Sequence, residues 1–164
     1  GVIHHGFTTL LDLAPSFYEL AGVEYPSEFA GKEVYPLRGR SLLPFLAGQT
    51  DRIHSDDCVF GIEHYGNAMI RKGHWKLSLC PGSGGWTDPK PTMKNWKQAE
   101  KDGEPLVQLI DLRTDLAERS DLAKEFPERV ANMKTLLAEQ VHAGRTSPGE
   151  EQSNDATIVI EKRP

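Results

Sequence analysis

Three consecutive runs of strand-like residues occupy the middle of the chain, and the segments that join them are short enough for tight reversals. The runs are Cys58–His64, Ala68–Lys72 and Trp75–Cys80, and the joining segments are Tyr65-Gly66-Asn67 and Gly73-His74. Reversals that contain glycine and asparagine at this length are typical of antiparallel hairpins. The sequence therefore predicts a β-meander, and this feature constrains the fold more than any other.

The second reversal also predicts a register. A turn at Gly73-His74 places Lys72 opposite Trp75, and side chains on one face then recur every second residue. The resulting pairs are Lys72 with Trp75, Ile70 with Leu77, and Ala68 with Leu79. One face of the meander then gathers a mainly apolar set, which is Ala68, Ile70, Trp75, Leu77 and Leu79. Such a face must be covered by another element.

The cover is predicted near the end of the chain. Pro127 opens a segment whose apolar residues recur at helical spacing and which Gly144 ends. Its stripe is Val130, Met133, Leu137 and Val141, which we expect to pack against Ile70, Leu77 and Leu79. Leu106–Leu112 supplies a fourth strand. The predicted fold class is α+β, a four-stranded antiparallel sheet packed by a C-terminal helix.

The first 22 residues have a different pattern. Apolar residues from Leu10 to Ala21 recur at helical spacing, Thr9 and Asp12 form a capping box at the start, and Gly22 ends the helix. His5–Thr8 reads as the end of a strand. This segment therefore looks like a strand-helix piece whose partner strands lie outside the 164 residues.

The remaining segments are mostly predicted loops. A second short helix spans Leu42–Ala47, capped by Ser41 and ended by Gly48. The loops are Val23–Gly39, Gln49–Asp57 and Pro81–Pro105, and a possible edge strand is Thr157–Ile160.

Composition excludes several classes of protein. The net charge is −5 and no Lys/Arg block occurs, which argues against nucleic acid as a partner. No apolar stretch approaches the roughly 20 residues that span a bilayer, and no signal peptide is expected at the N-terminus. Cys58 and Cys80 fall at opposite ends of the predicted hairpins, so we expect no disulfide between them, and two cysteines do not decide the compartment.

Candidate chemistry is sparse when the residues are read alone. Cys80-Pro81-Gly82-Ser83-Gly84 lacks the Gly-Lys-[Ser/Thr] of a phosphate loop and a charged partner for a nucleophile, so a structural role is favoured. The six histidines show no ligand spacing, and the carboxylates of Asp111–Asp121 suit caps and turns better than calcium. Glu63 and His64 end a strand beside a turn, where a ligand can be met, although such pairs are more often solvated.

Taken together, the ordered segments resemble one family. Four segments, in this order, resemble the final third of the type I sulfatases, bacterial arylsulfatases among them. They are the helix segment Thr9–Gly22, the segment Arg38–Gly48, the hairpin Phe60–Leu77 with its Arg71-Lys72-Gly73-His74-Trp75-Lys76, and the acidic turn before the last helix. Two details depart from the family pattern. Leu116-Ala117 stands where Pro-Gly is usual, and Ala68-Met69 where Arg-Ala is frequent, so the substrate is left undetermined.

The resemblance implies a division of the chain. Residues 1–54 correspond to the end of the α/β catalytic domain with its connecting loops, residues 55–144 to the small C-terminal subdomain, and residues 145–164 to an extended tail. It also implies that Phe7, Leu10, Leu13, Phe17 and Leu20 expose an apolar surface when the catalytic domain is absent. A periplasmic or secreted location is implied as well.

The resemblance further implies where the chemistry resides. Sulfatases of this type use a formylglycine made within Cys/Ser-x-Pro/Ala-x-Arg, together with calcium, and neither Cys58 nor Cys80 fits that motif. We therefore expect no catalytic residue, metal ligand or cofactor in this chain, and expect calcium and the formylglycine in a missing N-terminal domain.

The expected partners are that missing domain and, through the complete enzyme, a sulfated small molecule or glycan. The substrate-binding residues expected in this chain are Glu63, His64 and Tyr65, with the loop Trp86–Trp96. The alternative is a noncatalytic binding or interaction domain that shares the sulfatase C-terminal fold.

Overall fold

The computed structural model describes residues 3–64, 67–79, 101, 103, 105–146 and 149–155, and for His64 it describes the backbone alone. The chain divides into two compact units. The first comprises Gly1–Asp57 with Ala143–Ser153, and the second comprises Cys58–His142 with Asn154–Pro164.

The first unit begins with the predicted helix. A 3-10 turn at Leu10–Asp12 leads into α1, which spans Leu13–Ala21, and both hydrogen bonds of the predicted capping box are present. The α-helix starts later than predicted because Pro15 has no N–H to donate to the Leu11 carbonyl. Gly22 ends α1 in the left-handed conformation, as expected.

Two predictions for the first unit are wrong. His5–Thr8 is irregular rather than strand, since a single strand has no neighbour to satisfy its backbone groups. The predicted loop Val23–Gly39 contains a hairpin made of β1, Glu28–Phe29, and β2, Lys32–Glu33. Its turn places Ala30 and Gly31 at φ of 51° and 75°, a conformation for which Ala-Gly is a weak sequence signal.

The second short helix, α2, spans Leu43–Leu46 and is shorter than predicted. The structure places the N-cap at Leu42, one residue after the predicted cap Ser41, because α2 starts one residue later than predicted. The Ser41 hydroxyl oxygen still accepts a hydrogen bond of 3.2 Å from the Leu43 N–H. Gly48 follows α2 at a φ of 72°.

The second unit is the predicted meander with its fourth strand and helix. The strands are β3 (Val59–His64), β4 (Asn67–Lys72), β5 (Trp75–Leu79) and β6 (Val107–Asp111), and α3 spans Pro127–His142. They form one antiparallel sheet in the order β3-β4-β5-β6. The register between β4 and β5 is the predicted one, with Lys72 opposite Trp75.

The core of the second unit lies between the sheet and α3, which confirms the predicted fold class. Met133 and Leu137 of α3 are 3% and 5% exposed and pack in one cluster with Ile70, Leu77, Leu79 and Leu109. Val130 and Leu136 pack at the margin of that cluster. Val141, predicted to complete the stripe, is half-buried and is not part of that cluster.

Several predictions fall on residues outside those that the structure describes. They are those for Cys80, for most of Pro81–Pro105 and for Thr157–Ile160. Among the described residues, none forms a helix with both the length and the apolarity needed to cross a bilayer.

Candidate functional site

Two of the predicted substrate contacts, Glu63 and His64, are the last two residues of β3. Glu63 is exposed and pairs in the sheet with Ala68, on the face that α3 covers. The backbone of His64 pairs with Asn67 at the last position of the hairpin. Tyr65 and the loop Trp86–Trp96 fall outside the described residues. A substrate-binding site formed by all of these residues together therefore stays a prediction.

A buried polar cluster that sequence reasoning missed lies in the first unit, around Asp12. The Asp12 side chain is fully buried, and one carboxylate oxygen accepts a 2.7 Å hydrogen bond from the Thr9 N–H while the other accepts one of 2.9 Å from the Arg40 N–H. His54 Nε2 lies 2.9 and 3.0 Å from the two oxygens. We call Asp12, Arg40, His54 and Ser16 the polar clasp.

Ser16 extends this clasp by one turn of α1. Its hydroxyl donates to the Asp12 carbonyl at 2.5 Å and accepts a 2.8 Å hydrogen bond from the Leu42 N–H. Gly39 lies close against the same turn, since a Cβ there would be 2.0 Å from the Leu11 carbonyl oxygen. The clasp therefore joins α1 to the segment before α2.

The electrostatics of the clasp follow from its hydrogen bonds. Burial alone raises the pKa of the Asp12 carboxyl, but the N–H groups of Arg40 and Thr9 and the His54 ring bring that pKa below its ordinary value. Asp12 is thus held ionised. A fully buried carboxylate with its oxygens engaged cannot meet a substrate, so the clasp is structural.

The acidic turn after β6 behaves as predicted, as a set of caps. Asp115 accepts hydrogen bonds of 2.8 Å from the N–H groups of Arg119 and Ser120. Asp121 accepts from the N–H groups of Leu109 and Ala123, at 3.0 and 2.9 Å. The hydrogen bond from the Leu109 N–H to Asp121 occupies a backbone donor on the outer edge of β6. This contact protects that edge from pairing with another chain.

Asp111, at the start of this turn, is buried beside two basic side chains. Burial raises the pKa of its carboxyl, and hydrogen bonds from the N–H and guanidinium of Arg113 more than offset that effect, so the pKa lies below its ordinary value. His74 Nε2 lies 3.9 Å from the same carboxylate. The contacts of Asp111 with Arg113 and His74 stabilise the end of β6.

An open groove of about 630 Å³ lies between α3 and the turn that joins β4 to β5. The Arg129 guanidinium lies 4.4 Å from the centroid of the Trp75 ring, and the Phe126 ring centroid is 5.5 Å from it. Groups of both charges line the groove, namely Lys72, Glu125, Glu128 and Arg129. Because the Trp75 ring is already in contact and the charges are mixed, we assign the groove no ligand.

Within the described part of the chain, no group of three or more histidine, cysteine, aspartate or glutamate side chains is placed to hold a metal ion.

Comparison with known proteins gives a consistent result. No family model matches the chain. An uncharacterized sulfatase of Schizosaccharomyces pombe is 31% identical over 129 residues, which cover 77% of this chain and 20% of that protein. Arylsulfatase K of Rattus norvegicus is 23% identical over 160 residues, 94% of this chain and 24% of its own length.

The fold is shared with a solved structure, that of Ps i-CgsB in complex with k-i-k-neocarrahexaose. The match has a TM-score of 0.50 at 18% identity and covers 87% of this chain and 26% of that one. The chain is thus a sulfatase-like C-terminal part, at modest identity. It spans about a fifth to a quarter of the length of the curated relatives it matches.

Proposed function

We propose that this chain is the C-terminal part of an enzyme that hydrolyses sulfate monoesters, and that by itself it is inactive. The observation that carries the proposal is the 31% identity to a sulfatase over 77% of the chain. The order of the motifs, from the α1 segment to the acidic turn, supports it. The proposed substrate class is a sulfated small molecule or glycan.

The reacting groups are proposed to lie in a preceding catalytic domain, the chain's principal partner. No Cys or Ser among the 164 residues begins a Cys/Ser-x-Pro/Ala-x-Arg motif, and the described residues offer no ligand set for calcium. The sequence therefore does not fit the formylglycine, the described residues do not fit calcium, and we derive no chemical step through either group.

The proposed role of this chain is to form one wall of the substrate cleft. Glu63 is exposed at the end of β3, next to a turn, where a side chain can reach a ligand without rearrangement of the sheet. Its carboxylate can accept hydrogen bonds from sugar hydroxyls. His64 and Tyr65 follow it directly in the sequence and are proposed as further contacts.

The test compares two proteins, the 164-residue chain and the polypeptide encoded by its complete reading frame. Sulfate release from an aryl sulfate and from a sulfated disaccharide is measured for both. We expect none from the 164-residue chain and turnover from the longer protein. Turnover that titrates with the short chain through repurification would contradict its inactivity. A complete frame without the Cys/Ser-x-Pro/Ala-x-Arg motif would favour the noncatalytic binding domain.

The role of the hairpin end is tested in the longer protein with Glu63→Gln. The substitution replaces a charged acceptor with a neutral amide oxygen and so weakens the hydrogen bond, and we expect a rise of about tenfold in KM with kcat nearly unchanged. Glu33→Gln, at an exposed acid of β2, is the control and should leave both constants unchanged. Equal KM values for the two variants would show that Glu63 does not contact the substrate.

A further inference from the structure

The helix α1 with its preceding turn is oriented with its polar side inward and its apolar side outward. Asp12 and Ser16 are 0% and 7% exposed. The apolar residues spaced three or four apart are exposed instead, and we call them the outer stripe: Leu10 at 85%, Leu13 at 40%, Phe17 at 63% and Leu20 at 71%. An amphipathic helix of a self-contained domain has the opposite orientation.

The polar clasp prevents the helix from turning its stripe inward. A rotation would break the hydrogen bonds from the Arg40 N–H to Asp12 and from the Leu42 N–H to Ser16, and would leave these groups unsatisfied. Phe7, which the sequence placed with the exposed set, is half-buried against the His54 ring, with centroids 5.5 Å apart. The outward orientation is therefore built into the unit.

Contiguous exposed apolar surface of this kind marks an interaction site. A membrane is a poor occupant. Residues 10–21 carry Asp12 and Glu19 and no Lys or Arg, whereas helices that lie on membranes are rich in basic residues on their polar face. A protein surface that is itself apolar fits the outer stripe better.

We propose that the outer stripe docks on the polypeptide that precedes this chain in a longer sulfatase. This proposal rests on the proposed function. The matched relatives are four to five times longer than the part that this chain covers. The rest of such a protein is large enough to provide the apolar surface on which the outer stripe would dock. A second copy of this chain is the competing occupant.

The test co-expresses the 164-residue chain with the separate polypeptide encoded upstream of it. Size-exclusion chromatography with light scattering should find a one-to-one complex. The variant Phe17→Ser/Leu20→Ser, at side chains that contact solvent, should weaken the complex at least about tenfold. Leu116→Ser, at a side chain 70% exposed in the other unit, is the matched control and should bind as the unaltered chain does.

Hydrogen exchange separates docking from misfolding. Amides of residues 16–21 should be slowed in the complex, and the double variant alone should keep the exchange pattern of the unaltered chain alone. A homodimer through the stripe without the mixed complex, or a double variant that binds within twofold of the control, would overturn the proposal. A complex that forms but releases no sulfate would overturn the proposed function instead.

Discussion

At the scale of single residues, the polar clasp explains why the two N-terminal motifs occur together. Asp12 belongs to the helix motif, and Arg40 lies 28 residues later in the segment before α2. Gly39 allows the two backbones to approach, because any side chain there would meet the Leu11 carbonyl. These residues hold the unit together and do not act on a substrate.

Asp12→Asn should destabilise the first unit by about 1 to 3 kcal/mol, since the amide group would face a backbone donor in a buried site. The pKa of Asp12 is lowered in the folded chain, so its stabilising effect is complete above the ordinary aspartate value of about 3.9 and is lost as pH falls through the lowered value. Urea unfolding at pH 7 and pH 3 should show a smaller difference between the two proteins at pH 3. A pH-independent difference would contradict this account.

Gly39→Ala tests the close approach of the two segments. The added methyl group would lie 2.3 Å from the Leu11 carbonyl carbon and 2.7 Å from the Asp12 nitrogen, both backbone atoms that cannot rotate away. We expect a loss of about 1 to 3 kcal/mol in denaturant unfolding. Leu46→Ala, at a side chain 70% exposed in the same unit, is the control and should be close to neutral.

At the scale of elements, α3 and the sheet stabilise one another. Each strand of the meander has one face toward α3, and Ile70, Leu77 and Leu109 on that face are fully buried. The helix contributes Met133 and Leu137, one turn apart on the same side. The cover is thus made by a few large side chains.

Leu137→Ala should destabilise the second unit by about 2 to 5 kcal/mol, because it removes a buried side chain and leaves a cavity. Thermal and urea unfolding measure the effect. Leu116→Ala, exposed in the turn after β6, should change stability by less than about half a kcal/mol. A comparable loss for both variants would mean that α3 packs elsewhere.

At the scale of the whole molecule, the two units differ in how they bury apolar surface. The second unit encloses a core of sheet and helix side chains. Among its described residues, the first buries Asp12, Ser16 and one large apolar side chain, Ile53, and it presents the outer stripe to solvent. The free energy of local unfolding rises with the number of buried apolar contacts. We therefore expect the first unit to unfold locally more readily than the second.

Hydrogen exchange of the 164-residue chain should therefore find the slowest amides in β4 and β5, near Ile70 and Leu77. The amides of α1 should exchange faster, because its apolar face is not covered. The measurement is mass spectrometry after proteolysis of samples labelled for seconds to hours. Protection of α1 equal to that of β5 would mean that the outer stripe is already covered.

What the sequence alone determined was local or periodic. The β4–β5 register followed from a two-residue turn, and the choice of Met133 and Leu137 as cover followed from helical spacing. The start and end of the first helical segment followed from Thr9, Asp12 and Gly22, whose effects act within one turn. The hairpin at Ala30-Gly31 was missed because its turn residues are weak signals.

Only the tertiary structure decided the direction in which α1 faces. Its periodicity predicted an apolar face but not which side would be buried, and that side is set by partners 26 to 42 residues away in sequence, Arg40, Leu42 and His54. Hydrogen bonds of such separation leave no periodic trace, because each needs a single donor at a single place. The burial of the His54 side chain could not be predicted from the sequence for the same reason, because it depends on the contact with Asp12.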